Sequence, residues 1–294
     1  MNGKAAVAEI TLSAGDWRTR LAPGLGGAVL DLTWRGRPVF RPTPPGATDI
    51  LETACFPLVP YANRIADGRF SFGGREVSLP ILPRFAPHAL HGDGWLNAWT
   101  VTGRDERSVR MTLERTGREG GWPWPWRAEQ TLTLTEDGLT IRLSILNTGD
   151  AVMPAGLGLH PYFHRSPDAR LTLSATGIWL TDEREIADRL APPSALVDWS
   201  GGAALADAPF VDHAYAGWDH QARIDADAGH LIMTASPNAG WAHVYAPEGE
   251  SFFCVEPVTH RPDAIHAPAG EATGLVELAP GEALVMSASI SRMS

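Results

Sequence analysis

Apolar and polar residues take turns along much of this chain, and that period of two commits it to β-strands with one buried face. Leu132 and Leu134 alternate with Thr131, Thr133 and Thr135. After Asp137-Gly138, a turn signal, Leu139, Ile141, Leu143 and Ile145 alternate with Thr140, Arg142 and Ser144. The pattern predicts a β-hairpin. Shorter runs of the same kind cover Val109 to Leu113, Leu171 to Leu173, Ile224 to Ala226, Leu231 to Ala235, Ala242 to Tyr245, Phe252 to Val255 and Leu284 to Ile290. Turn chemistry at Gly73-Gly74, Asp227-Ala228-Gly229 and Pro280-Gly281 separates several of them. No window of helical length keeps a three-to-four-residue apolar spacing between two caps, so helices are expected to be short. Closely spaced strands with many turns predict an all-β sandwich or barrel.

A chain of 294 residues, 44% of them hydrophobic, can bury the core of one large β domain or two ordinary ones. Its 24 prolines and 30 glycines are dispersed rather than gathered into a linker, and no repeat recurs at a fixed period. A single domain over residues 1–294 is therefore expected. Two stretches stand apart. The prolines of Gly121-Trp122-Pro123-Trp124-Pro125-Trp126 cannot donate to a central ladder, which predicts an edge or loop. Residues 181–210, rich in Ala, Asp and Pro, read as a long excursion between strands. The formal charge of -10, with no concentrated basic patch, argues against nucleic acid or an anionic membrane surface as partner. The first residues, Met1 to Ile10, lack the continuous apolar stretch of a signal peptide, and no later segment has the apolar length of a membrane span. A cytoplasmic location is expected. Cys55 and Cys254 offer neither a disulfide framework nor a C-x-x-C pair, and are expected to be small buried hydrophobes.

Several polar residues sit where an apolar strand would present them to a pocket. His160 lies within Gly158-Leu159-His160-Pro161-Tyr162-Phe163, flanked by apolar residues; a core histidine bonded to a carbonyl is the plain alternative to a functional one. Glu256 follows Phe252-Phe253-Cys254-Val255, and period two places it on the face of Phe252 and Cys254. A carboxylate there needs a partner, either an arginine or a ligand. His88 and His91 have a spacing that invites a metal, but an offset of three on a strand puts them on opposite faces, and no third ligand accompanies them. No metal is expected. Asn63 and Arg64 set an amide beside a guanidinium, donors suited to sugar hydroxyls or a carboxylate. Asp212 can accept two hydroxyls, or simply cap a turn.

In chain order these segments resemble the aldose 1-epimerase (galactose mutarotase) family. Asn63-Arg64-Ile65-Ala66-Asp67-Gly68-Arg69-Phe70 is similar to its N-R-I-x-x-G-x-F segment, and His88-Ala89-Leu90-His91-Gly92 to its H-x-L-H-G. Gly121-Trp122-Pro123 stands in the place of an aromatic-proline turn, His160-Pro161-Tyr162-Phe163 in that of the catalytic-histidine segment, and Asp212-His213 and Cys254-Val255-Glu256-Pro257 complete the order. The run Pro161-Tyr162-Phe163-His164-Arg165 departs from the family, which often continues into an asparagine and an aromatic residue.

The resemblance implies a galactose mutarotase-like β-sandwich, or supersandwich, with a cleft across one sheet that takes a monosaccharide and uses no cofactor. His160 and Glu256 would be the catalytic pair. Arg64, His91 and Asp212 would hold sugar hydroxyls, with Asn63 and His88 in support. A negative Glu256 is expected to favour the charged form of the nearby histidine. The same fold acting on a hexose 6-phosphate would need further cations, for which Arg84, Arg127 and Arg165 are candidates. A non-catalytic carbohydrate-binding sandwich is the alternative from another class, and a glycosidase would need a second carboxyl group flanking the bond. Monomer and homodimer both remain open.

Overall fold

The computed structural model describes residues 8–293. The reading of the N-terminus as free of an apolar leader falls largely on residues 1–7, outside the described residues. Strands dominate, every helix among the described residues is a three-residue 3₁₀ turn, and none is long and apolar enough to cross a membrane. The all-β expectation is met.

The predicted hairpin lies in the interior of the larger sheet. Trp126–Leu134 and Gly138–Asn147 pair antiparallel, with Leu132 opposite Ile141 and Leu134 opposite Leu139. Along the second strand Leu139, Ile141, Leu143 and Ile145 are buried while Thr140 and Arg142 are exposed, as the sequence alternation requires. Ser108–Arg115 and Thr100–Arg104 extend this sheet on one side. Ala283–Arg292, Gly229–Ala235, Gln221–Ala226, Arg170–Leu173 and Ala203–Ala204 extend it on the other, to nine strands.

The second large sheet runs in the order Ala187–Ala191, Gly177–Thr181, Val211–Ala216, Trp241–Ala246, Phe252–Val258, Gly158–Leu159 and Pro57–Leu58, with Tyr162–His164 also paired to Phe252–Val258. Phe252–Val258 is buried on both faces, and period two explains how. Phe253 and Val255 enter the apolar cluster shared with Leu139, Ile141 and Leu143 of the nine-stranded sheet. Cys254 and Val258 point the other way, into a smaller cluster with Phe56, Leu58, Trp95 and Tyr162. Glu256 shares that second face, away from the inter-sheet core.

Two local expectations are refined. The Trp-Pro-Trp-Pro segment lies outside the strands, as its prolines demand, but its indoles are buried rather than marginal. Trp122 packs 5.4 Å from both Tyr61 and Phe70, and Trp124 packs 5.5 Å from Phe72, so the segment roofs the Arg69–Phe72 and Arg75–Ser78 hairpin. The excursion at residues 181–210 carries two short strands: Ala187–Ala191 pairs with Gly177–Thr181, and Ala203–Ala204 pairs with Arg170–Leu173. Strand Ala187–Ala191 escaped detection because, as an edge strand, it has no buried face to impose alternation.

Leu143 is fully buried at the middle of the central hairpin, so Leu143→Ala is expected to lower unfolding free energy by about 2–5 kcal/mol. Arg142→Ala, one residue away on the exposed face, should stay within about 0.5 kcal/mol. Urea unfolding of the two variants checks the assignment of faces, and equal losses would contradict it.

Candidate active site

Four neighbouring strands of the eight-stranded sheet bring polar side chains to one face. Asp212 comes from Val211–Ala216, His243 from Trp241–Ala246 and Glu256 from Phe252–Val258, and His160 follows directly on Gly158–Leu159. The register places His243 opposite Glu256. His160 Nε2 lies 3.3 Å from Glu256 Oε1, both side chains almost wholly buried. Residues 96 positions apart in sequence are thus in direct contact, because their strands are adjacent in the sheet.

The second wall comes from the segments around Asn63 and His91. Arg64–Ile65 pairs with Ala89–Leu90. Asn63 and His91 both adopt left-handed backbone conformations, φ +59 in each, and clasp one another: the Asn63 N–H donates to His91 Nδ1 and the His91 N–H to the Asn63 carbonyl, each at 3.0 Å. Such non-glycine conformations persist only when surroundings impose them, and they gather at functional sites. Because Nδ1 of His91 accepts, its neutral ring carries the proton on Nε2. The His91 ring stands edge-on to that of His160, centroids 5.4 Å apart. The next residue, Gly92, lies so close to the Val59 carbonyl that a Cβ there would collide with it.

Arg64 donates to Glu185 at 2.6 Å and lies 3.6 Å from Asp212. His243 Nε2 meets Asp212 Oδ1 at 2.6 Å while its Nδ1 faces the Asn63 amide at 3.3 Å. The amide N–H of Asn63 therefore fixes the His243 tautomer, leaving Nε2–H to donate to Asp212. Of the residues singled out in the sequence, Arg64, His91, His160, Asp212 and Glu256 converge. Asn63 acts behind them, its Oδ1 accepting from the Arg64 N–H at 2.8 Å. His88 differs from expectation. Its Nδ1 accepts from the Asp67 N–H at 3.0 Å and its Nε2 donates to the Arg184 carbonyl at 2.8 Å, which leaves no ring nitrogen for a sugar. Nor do His88 and His91 share a strand, since the Ala89–Leu90 ladder ends before His91 turns into the left-handed region.

Burial governs the charges. It pushes the Glu256 carboxyl well above the usual carboxylate range, helped by repulsion from Asp212 and opposed by Arg64. It pushes the His160 imidazole down to about 3, with the positive charge of Arg41 acting in the same direction. His91 is driven well below its ordinary value by burial and by repulsion from His160 and Arg64. The expectation that Glu256 keeps His160 charged is thus reversed in the free protein. The pair is most stable uncharged, with its proton on the carboxyl, because a low-dielectric site penalises both ionic forms at once. Asp212 behaves oppositely. Burial raises its pKa, but the His243 hydrogen bond and the charge of Arg64 outweigh this and hold it well below the usual range. His160 Nδ1 has no hydrogen-bond partner, so its tautomer answers to Glu256 alone.

His160, Cys254 and Glu256 bring a nitrogen, a sulfur and an oxygen within 4.8 Å of one another, the one such trio among the described residues. Burial raises the Cys254 thiol as well as the Glu256 carboxyl, so both hold protons that a metal would have to displace. The arrangement suits proton transfer better than metal ligation. Reading the sequence missed His243, Tyr162 and Glu185. The Tyr162 ring stacks on His160 at 4.6 Å and carries the Arg41 guanidinium 3.5 Å from its centroid. His243 carried the same signal as Glu256, a polar residue within an alternating apolar run, Trp241 to Tyr245.

Comparison with known proteins places this geometry. The family model for aldose 1-epimerase matches residues 9–291. An uncharacterised protein of Escherichia coli, YphB, is 36% identical over 268 residues, which span 87% of this chain and 89% of its own length. The aldose 1-epimerase of E. coli is 31% identical over a shorter stretch of 107 residues, 35% of this chain and 30% of its own. Among solved structures, a candidate aldose 1-epimerase of E. coli superposes with a TM-score of 0.87 at 33% identity, covering 97% of this chain and 98% of that one. A galactose mutarotase-like protein of Clostridium acetobutylicum has a TM-score of 0.85 over 97% of this chain and 95% of its own; at 18% identity it speaks for the fold alone. With the match running nearly end to end and the fold that of galactose mutarotase-like proteins, the chain belongs to the aldose 1-epimerase family.

Proposed function

We propose that this protein is an aldose 1-epimerase acting in the cytoplasm on a free aldose, interconverting its α and β anomers by acid-base opening and closing of the ring. The observation that carries the reading is the contact of His160 Nε2 with Glu256 Oε1 at 3.3 Å, on a face that also presents Arg64, His91 and Asp212. Mutarotation requires one proton to leave the anomeric hydroxyl and another to reach the ring oxygen, and these two oxygens share a carbon. Donor and acceptor must therefore be neighbours, as His160 and Glu256 are. Whichever member of the pair carries the proton delivers it to the ring oxygen, while the other takes the hydroxyl proton; the C1–O5 bond opens, C1 rotates about C1–C2, and the roles reverse on closure. Because the two groups are coupled, the proton belongs to the pair. Arg64, the Nε2–H of His91 and the ionised Asp212 supply donors and an acceptor for the hydroxyls.

The choice of a free sugar over a hexose 6-phosphate is supported by the engagement of the arginines that a phosphate would need. Arg84 is bound to Asp49 at 2.6 Å, and Arg165 donates to the Pro247 and Leu205 carbonyls. Arg127 lies in the nine-stranded sheet, opposite Leu146.

Polarimetry with fresh α-glucose and α-galactose tests the activity; relaxation no faster than buffer for a panel of aldoses would leave a sugar-binding sandwich as the reading. His160→Ala and Glu256→Gln are each expected to lower turnover by about two decades or more, the usual contribution of positioned proton transfer. A variant that keeps near-normal turnover while folded removes that residue from the mechanism. The proton inventory has its own check by NMR of the His160 ring in the free protein. With its pKa pushed down to about 3, the ring should stay neutral from about pH 8 to pH 5, where an unperturbed histidine would titrate. A midpoint close to the ordinary 6.5 would show that burial does not control the pair.

A further inference from the structure

The turn between Gly177–Thr181 and Ala187–Ala191 is built to hold one side chain against the site. Asp182 Oδ1 accepts from the Arg184 and Ile186 N–H groups at 2.9 Å each, and the Glu185 N–H donates to the Asp182 carbonyl at 3.1 Å. Two ties from the site's own wall fasten the turn from outside: His88 Nε2 holds the Arg184 carbonyl at 2.8 Å, and the Arg184 guanidinium pairs with Asp67. At the tip, Glu185 sits at φ +63. Glycine, asparagine or aspartate suits that position of a hairpin turn, and a longer side chain goes against local preference. A residue kept there against its backbone preference points to a use for its side chain.

That side chain reaches Arg64, 121 residues away, at 2.6 Å through Oε2. Arg64 also has Asp212 at 3.6 Å, so its guanidinium is flanked by two carboxylates. His91 and His160 add no compensating charge, since both are held neutral by burial. Around Arg64, carboxylates outnumber the cation two to one, and that part of the rim is rich in acceptors. Glu185 is itself largely exposed, with 70% of its side chain accessible, and Oε1 has no partner among the described residues.

Building on the aldose 1-epimerase reading, we infer that Glu185 is a specificity-determining residue: its carboxylate accepts a sugar hydroxyl beside Arg64 and excludes anionic sugars, restricting the enzyme to neutral aldoses. A hydroxyl donates to the free carboxylate oxygen while Arg64 stays neutralised. A phosphate or carboxylate on the sugar meets like charge at the rim and finds the guanidinium already occupied.

The test compares KM for glucose and glucose 6-phosphate in the wild type, Glu185→Gln and Glu185→Gly; the glycine variant relieves the backbone conformation, so loss of fold is not expected. Removing the carboxylate should move the two constants in opposite directions, raising KM for glucose severalfold and lowering it for glucose 6-phosphate by about tenfold, the scale of one lost like-charge contact. A turn that merely supports the wall would shift both in the same direction. That result, or constants that do not move, overturns the inference. Calorimetric dissociation constants for the same two sugars give the same comparison without turnover. If the wild type accelerates no mutarotation, the proposed activity fails, while opposite shifts in the two dissociation constants would still identify Glu185 as the selector.

Discussion

The register between Trp241–Ala246 and Phe252–Val258, with His243 opposite Glu256, is the constraint on which the site rests. Side chains alternate faces along a strand, so a slip of one residue would turn Glu256 into the inter-sheet core and bring Val255 to the opposite face. Phe253 and Val255 forbid that slip, because they are buried among the residues of the nine-stranded sheet. The hydrophobic effect on one face thus specifies the chemistry on the other. A carboxyl group that no surface strand would hold in place becomes fixed within contact of His160.

The same burial sets the electrical character of the site. In a low-dielectric surrounding an ionised carboxyl group and an imidazolium are both costly, and the His160–Glu256 pair settles as two neutral partners sharing a proton. Charge is tolerated where hydrogen bonds support it. Asp212 stays ionised because His243 donates to it and Arg64 stands close by. One continuous chain of contacts runs from Asn63 to His243 to Asp212 to Arg64 to Glu185. Its members come from separate strands, a tight clasp and a hairpin turn, so the network ties the sheet to its walls as well as tuning its charge.

Much of this was open to reading in the sequence. The Thr131 to Ile145 alternation predicted its hairpin because one face is buried and the other wet. Glu256 stood out because an apolar strand leaves a carboxyl group unexplained, and the ordered segments around Asn63, His91 and His160 carried the family. His88 was misplaced for a physical reason. Both its ring nitrogens are taken up, by the Asp67 N–H and by the carbonyl of Arg184, and the second partner lies 96 residues away, beyond any local pattern. Glu185 was invisible because an edge hairpin has no hydrophobic pattern, and its importance lies in a partner 121 residues distant.

By itself, the sequence determined the local matters: which stretches become strands, which face of each is apolar, where turns break them, and which polar residues are out of place on a buried face. These follow from side-chain periodicity and backbone preference within a few residues. Only the tertiary structure decided that His160 meets Glu256, that His88 holds a turn through both ring nitrogens, and that burial reverses the expected charge of the His160–Glu256 pair. Distances, dielectric surroundings and shared protons belong to groups brought together by strand order, and strand order is written in no single segment.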